Sequence, residues 1–162
     1  MGMYSNLGVF SDNQEVDGGG EASTNTIDLH ATNPRIGVGQ HAPYLCIRCG
    51  TESTTEADSI SIELQSDADD GAGAPVGTWT QTDMMVCCGA TGAEVTGTDD
   101  RLTTGAWVFR GQLPYDIKYR HIRLYYNNTA HTAAYYFDAW LSDGPNSTFR
   151  GSQVLTSPVG NP

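Results

Sequence analysis

Four cysteines are the residues of this chain best suited to chemistry, and two of them, Cys46 and Cys49, form a C-x-x-C inside HAPYLCIRCG, residues 41–50. With His41 close by, the spacing suggests half of a zinc site or a redox pair. A zinc knuckle holds C-x-x-C on a tight turn so that both sulfurs converge on one ion. Here the residues between are Ile47 and Arg48, and apolar alternation runs through the motif. Leu45, Ile47 and Cys49 fall on one face of a strand, Tyr44, Cys46 and Arg48 on the other, so the two thiols diverge. Cys87 and Cys88 are adjacent and alternate in the same way, and His41 sits in a loop before Pro43. A redox pair also needs a helix N-terminus to lower its thiol pKa. No helix is predicted, so the cysteines are read as small hydrophobes, and no metal or cofactor is expected.

The other reactive types are sparse. DADDG has the acids of a calcium loop, but counting from Asp67 the sixth residue is Ala72 and the twelfth Thr78, where an EF-hand needs Gly and Glu. An irregular calcium site at Asp67, Asp69 and Asp70, or at Asp99 and Asp100, stays open beside the solvated turn that the composition favours. There is no G-x-S-x-G elbow. His30, His41, His121 and His131 are scattered through strand and loop segments without a local motif. Glu63 and Asp138 are carboxylates inside strands, and a hydrolytic pair of that kind meets only in space. DGGGE precedes no strand-to-helix turn, so it is no phosphate loop. No catalytic residue is assigned, and the chain is expected not to be an enzyme.

Whatever its surface does, short strands must position it. SISIELQ alternates Ile60, Ile62 and Leu64 against Ser59, Ser61, Glu63 and Gln65. RHIRLYY sets Ile122, Leu124 and Tyr126 against His121, Arg123 and Tyr125. NTIDL, AWVFR, AAYYFDAWL and MMVCC are further strands, and 19 glycines with 7 prolines punctuate them. No window shows helical periodicity. This predicts an all-β, single-domain jelly-roll β-sandwich over residues 21–146. Residues 1–20 and 147–162 lack core periodicity and are predicted as extended N- and C-terminal arms. The polar stretch from Asp67 to Asp100 is expected to form long mobile loops around one apolar strand.

A chain of 162 residues needs neither disulfide nor metal to bury a core. Its 19 acidic and 8 basic residues give a net charge of -11. Nucleic acid and anionic membranes require clustered Lys and Arg, so neither is an expected partner. The opening MGMYSNLGVFSDNQ has no basic segment followed by an apolar one, Asn6 stands where an acylation signal wants Ser or Thr, and no run is long enough to span a membrane. Synthesis in a reducing cytoplasm is therefore expected, with free thiols and unmodified sequons at Asn127 and Asn146.

Several segments together resemble one family. LGVFSDNQEV (7–16), STNTIDL (23–29), IGVG (36–39), PYL (43–45), IELQSD (62–67), LP (113–114), RHIRLYY (120–126) and AWLSD (139–143) occur in that order. They are similar to segments of the capsid cement, or decoration, proteins of tailed bacteriophages, of the Bordetella-phage jelly-roll type. SDNQ followed by STNTIDL is the most specific part. The stretch GAGAPVGTWTQTDMMVCCGATGAEVTGTDD and the tail after Asp143 fall outside the resemblance. The resemblance implies a jelly roll on the outer surface of the virion capsid. It also implies a major capsid protein with the HK97-like fold as partner, and no catalysis.

On this basis the chain is expected to form a homodimer or homotrimer and to bridge neighbouring capsid subunits. Apolar residues outside the core pattern mark the candidate capsid or oligomer interface: Tyr4, Leu7 and Phe10 in the N-terminal arm, Trp79 in the polar loop, and Phe149 and Val154 in the tail. A disordered tail competes with that assignment for its two residues. Trp107 and Trp140 lie in apolar strands and are expected in the core, leaving Trp79 as the exposed one. The alternative function is a carbohydrate-binding β-sandwich module displayed on a virion, its sugar stacked on exposed aromatics.

Overall fold

Strand alternation, broken at a few bulges, organises the molecule. The computed structural model describes residues 8–17, 19–29, 43–53, 59–82, 95–96, 100–113, 117–128 and 134–142. Within them the strands are β1 (Val9–Val16), β2 (Glu21–Ala22), β3 (Ile27–Asp28), β4 (Tyr44–Thr51) and β5 (Ser59–Asp67). They continue with β6 (Thr80–Gln81), β7 (Val95–Thr96), β8 (Trp107–Gln112), β9 (His121–Asn128) and β10 (Tyr135–Ser142). A 3-10 turn spans Asp100–Leu102. MMVCC lies outside the described residues, and NTIDL contributes only the short β3.

The strands form two antiparallel sheets. The first runs β1-β10-β4-β8; the second is six-stranded, β2-β9-β5-β6 with β3 also paired to β9 and β7 to β5. Residues from both sheets fill one core: Leu45, Ile47, Phe137, Ala139 and Leu141 from the first, Ile60, Ile62, Leu64, Ile122, Leu124 and Tyr126 from the second. Period-two alternation in each long strand places these residues on one face, and burial of that apolar face is what pairs the sheets. The chain is therefore an all-β sandwich.

Strand β1 corrects the expected N-terminal arm. Val9–Val16 pairs along β10, and Phe10 is fully buried in the core rather than exposed for docking. Its pairing register shifts between Val9 and Ser11 and again between Ser11 and Gln14, and Asn13 adopts a positive φ of 48°. Bulges put extra residues into a strand and destroy strict alternation. That is why VFSDNQEV shows no core periodicity in the sequence.

Trp140 is buried as expected, whereas Trp107 is only half-buried. Both are absent from the core cluster. Trp140 lies opposite Cys46 on β4, and its neighbours Ala139 and Leu141 face the core, so alternation turns the indole to the outward side of the first sheet. There the two indoles pack with centroids 5.6 Å apart, and the Arg110 guanidinium lies 4.6 Å from the Trp107 centroid.

Candidate functional site

On the outward face of the second sheet, β5 and β9 lie in register: Glu63 opposite Tyr125, Gln65 opposite Arg123, Asp67 opposite His121. Ile62 and Leu64 on β5, and Leu124 and Tyr126 on β9, face the core, so the polar partners share the opposite side. The loop after β5 folds over the end of this row.

Asp67 builds that loop. Its carboxylate, nearly inaccessible to solvent, accepts backbone N–H groups from Ala68 (2.8 Å), Gly77 and Thr78 (3.1 Å). Gly77 makes its bond at a φ of 97°, a conformation that side chains disfavour. Between these anchors a short ribbon turns back on itself through Val76 N–H to Ala68 O (3.0 Å) and Asp70 N–H to Ala74 O (2.9 Å). Asp70 Oδ1 accepts the N–H groups of Ala72 (2.7 Å) and Ala74 (3.1 Å). Residues 67–78 are thus a folded hairpin-like loop. The three carboxylates of the calcium expectation are each taken up by N–H donors instead of converging on one another. Asp99, of the second calcium expectation, lies outside the described residues.

A second clamp holds the ribbon to the sheet. Asp69 Oδ2 meets His121 Nε2 at 3.0 Å and Arg120 Nη1 at 3.0 Å. An ionised carboxylate only accepts, so the His121 ring donates from Nε2. Arg120 also holds Asp28 on β3 through two bonds of 2.7 and 2.6 Å. The His121 hydrogen bond and the Gly71 N–H keep the Asp69 carboxyl below its ordinary range. The Ala72 and Ala74 N–H groups do the same for Asp70.

The loop delivers Trp79 onto Arg123. The guanidinium carbon lies 4.2 Å from the Trp79 ring centroid and 5.6 Å from that of Tyr125, so two aromatic rings flank the cation. Its Nε donates to Gln65 Oε1 at 2.9 Å, and Gln65 Nε2 donates in turn to Glu63 Oε2 at 3.2 Å. Burial lowers the Arg123 pKa, but a guanidinium keeps its charge at any pH the fold survives. Gly20, at a φ of 140°, passes so close over the Tyr125 hydroxyl that a Cβ there would lie 2.2 Å from it.

The other expected positions are distributed as follows. Trp79 is half-buried against Arg123 rather than free in a polar loop. Tyr4, Leu7, Phe149 and Val154 lie outside the described residues, as do His30, His41, His131, Cys87 and Cys88. Glu63 and Asp138 stand on outward faces of different sheets, across the core from one another, and cannot act as a carboxylate pair. Cys49 faces the core, where its Sγ donates to Leu102 O at 3.2 Å, while Cys46 lies on the opposite face between Trp140 and Arg110. Arg123, Tyr125 and Gln65 were visible in the sequence only as the polar side of two strands. Their meeting depends on the β5–β9 register, which the sequence pattern leaves open. No family model matches the chain, and no curated protein matches it.

Proposed function

We propose that this chain is a structural capsid cement protein that binds the outer surface of a tailed-phage head. It stabilises the head by bridging neighbouring major capsid protein subunits of HK97-like fold, acting as a dimer or trimer with jelly-roll connectivity and no enzymatic step. The observation that carries the proposal is where the cement-like segments fall. LGVFSDNQEV contains β1, PYL opens β4, IELQSD and RHIRLYY form most of the central β5–β9 pair, and AWLSD closes β10. The resemblance thus lies on the frame of both sheets. The loop carrying Trp79, which lies outside it, is mounted on that frame as a local addition.

The chemistry of the described surface agrees with a binding protein. Three of its carboxylates, Asp67, Asp69 and Asp28, are engaged in holding loops and strand ends. A net charge of -11 suits a protein placed on the outside of a shell, away from packaged DNA. In an oligomer several weak contacts act together, so dissociation slows through effective concentration. The experiment is reconstitution: purified chain is added to heads that lack it, and the heads are then challenged with heat and chelator. Saturable attachment with a raised disruption temperature is expected. Heads that neither bind the chain nor gain resistance from it would refute the proposal.

A further inference from the structure

We propose that the Trp79–Arg123–Tyr125 cluster on the outward face of the second sheet is a binding site for a carboxylate-bearing saccharide, a uronic or sialic acid residue. The cluster would exist whether or not the chain coats a capsid, so the two proposals stand or fall separately.

Arg123 carries the inference. Among the described residues its hydrogen bonding is confined to Nε, which Gln65 takes, and no carboxylate lies within ion-pair distance. Among those residues neither Nη group has a protein acceptor. In a chain with 19 acidic residues, an arginine held by two rings and an amide instead of a carboxylate is a cation kept available. The guanidinium fork matches a carboxylate through two parallel N–H···O bonds, and its orientation is already fixed by stacking and by Gln65. Little side-chain entropy is then lost on binding.

The surroundings select the rest of the ligand. Trp79 and Tyr125 are half-exposed aromatics whose rings suit the apolar face of a pyranose. Glu63 and Gln65, aligned along β5 on the same side, present a carboxylate and an amide to sugar hydroxyls. A protein partner fits less well. A stable interface covers roughly 800 Å² on each side around an apolar centre. The exposed large hydrophobics among the described residues amount to Val76 alone, at 56 %. A polyanion such as nucleic acid also fits poorly, because Arg123 is the single cation of the cluster and Glu63 stands beside it.

The test is a titration of the 15N-labelled full chain, followed by NMR through the Trp79 indole and Arg123 Nε signals. The probes are methyl β-glucuronide, methyl β-glucoside and sodium acetate. Saturable shifts of both signals with glucuronide are expected, with glucoside weaker by on the order of ten-fold, the worth of one charge-assisted bidentate contact, and acetate weaker because it lacks the pyranose ring that Trp79 and Tyr125 would stack. Arg123→Gln is expected to remove the preference for glucuronide, and Trp79→Ala to weaken both sugars. Arg123→Lys, which keeps the charge without the fork, serves if the glutamine variant does not fold and is expected to bind glucuronide more weakly. The proposal is overturned by equal binding of the two glycosides, by acetate binding as tightly as glucuronide, or by an unaltered preference in Arg123→Gln or Arg123→Lys. Loss of head attachment in Arg123→Gln, without glucuronide binding by the unsubstituted chain, would assign the cluster to a protein partner instead.

Discussion

Ser11 Oγ on β1 and Tyr126 OH on β9 meet 2.8 Å apart in the core, joining the two sheets across 115 residues of sequence. Ser11 has one hydroxyl proton, and it goes to Gln14 Oε1 at 2.7 Å, so the phenol must donate to Ser11. Burial pushes the Tyr126 phenol above its ordinary pKa, in keeping with a proton held in the core. Ser11→Ala strands that donor at a cost of ~1–3 kcal/mol. Tyr126→Phe removes donor and need together and should cost less, about 1 kcal/mol. The double variant should then lose less in urea unfolding than the two single losses added together, because no phenol proton is stranded, while the Ser11 bond to Gln14 is still given up. Additive losses would show that the two groups act separately.

Asp67→Ala is expected to release the loop that carries Trp79. Three backbone N–H groups lose their acceptor at once, two of them at the far end of the ribbon. Water reaches some of them after opening, so a loss of about 2–3 kcal/mol is expected rather than a full desolvation penalty for each. Trp79 should leave Arg123, giving a red-shifted tryptophan emission in a chain that is still folded. Asp67→Asn keeps an acceptor oxygen and should fall between. Unchanged emission from Asp67→Ala would mean that Trp79 is held by Arg123 alone.

Where a strand alternates cleanly, sequence and structure agree. Ile60, Ile62 and Leu64, and likewise Ile122, Leu124 and Tyr126, point into the core as their spacing requires. Cys46 and Cys49 diverge for the same reason. The failures have physical causes. Bulges in β1 hide a core strand from any test of period two, so Phe10 resembles an arm residue. Trp107 is only half-buried, because it packs against Trp140, itself buried as expected, on the face turned away from the main cluster. The loop at 67–78 has a polar, glycine-rich composition, but side-chain carboxylates supply most of its hydrogen bonds, and composition carries no trace of that geometry. Arg123 and Trp79 are 44 positions apart in the chain, and only the loop's fold brings them together.

The two thiols of CIRC should be inert in the native protein. Burial raises the Cys49 pKa to about 12, with Glu52 and Asp138 adding to the shift, and burial raises that of Cys46 against the opposing charge of Arg110. A thiol in that range has almost no thiolate at neutral pH, and thiolate is the reactive form. In a Cys87→Ser/Cys88→Ser background, no thiol should react with a disulfide reagent at pH 8 until denaturant is added. Two should then react. The same protein should carry no stoichiometric zinc by elemental analysis; one ion per chain would overturn the assignment of these cysteines to packing.

Acid stability should reflect carboxylates that work in opposite directions. Asp69 and Asp70 have folded pKa values below the ordinary 3.8, the first chiefly through His121 and the second through the Ala72 and Ala74 N–H groups. A lowered folded pKa means that the unfolded chain binds the proton more readily. Their contribution is complete above about 3.8 and is lost as the pH falls through the lower folded values. Asp138 has a raised pKa, because partial burial outweighs the Asn13 N–H bond (2.7 Å) and the nearby charge of Arg48. For Asp138 the folded chain binds the proton more readily, so its ionisation costs stability above the raised pKa, and that cost fades on acidification. Asp138→Asn keeps an oxygen for Asn13 and loses the buried charge. At pH 7 it should be at least as stable as the unsubstituted chain, and the margin should shrink as the pH falls toward the ordinary aspartate range. Asp70→Asn should instead flatten the loss of stability below pH 4. Unfolding free energies from urea melts between pH 3 and pH 7 distinguish the two signs. A margin for Asp138→Asn that grows on acidification would show that its carboxylate stabilises the bulge of β1 as an anion.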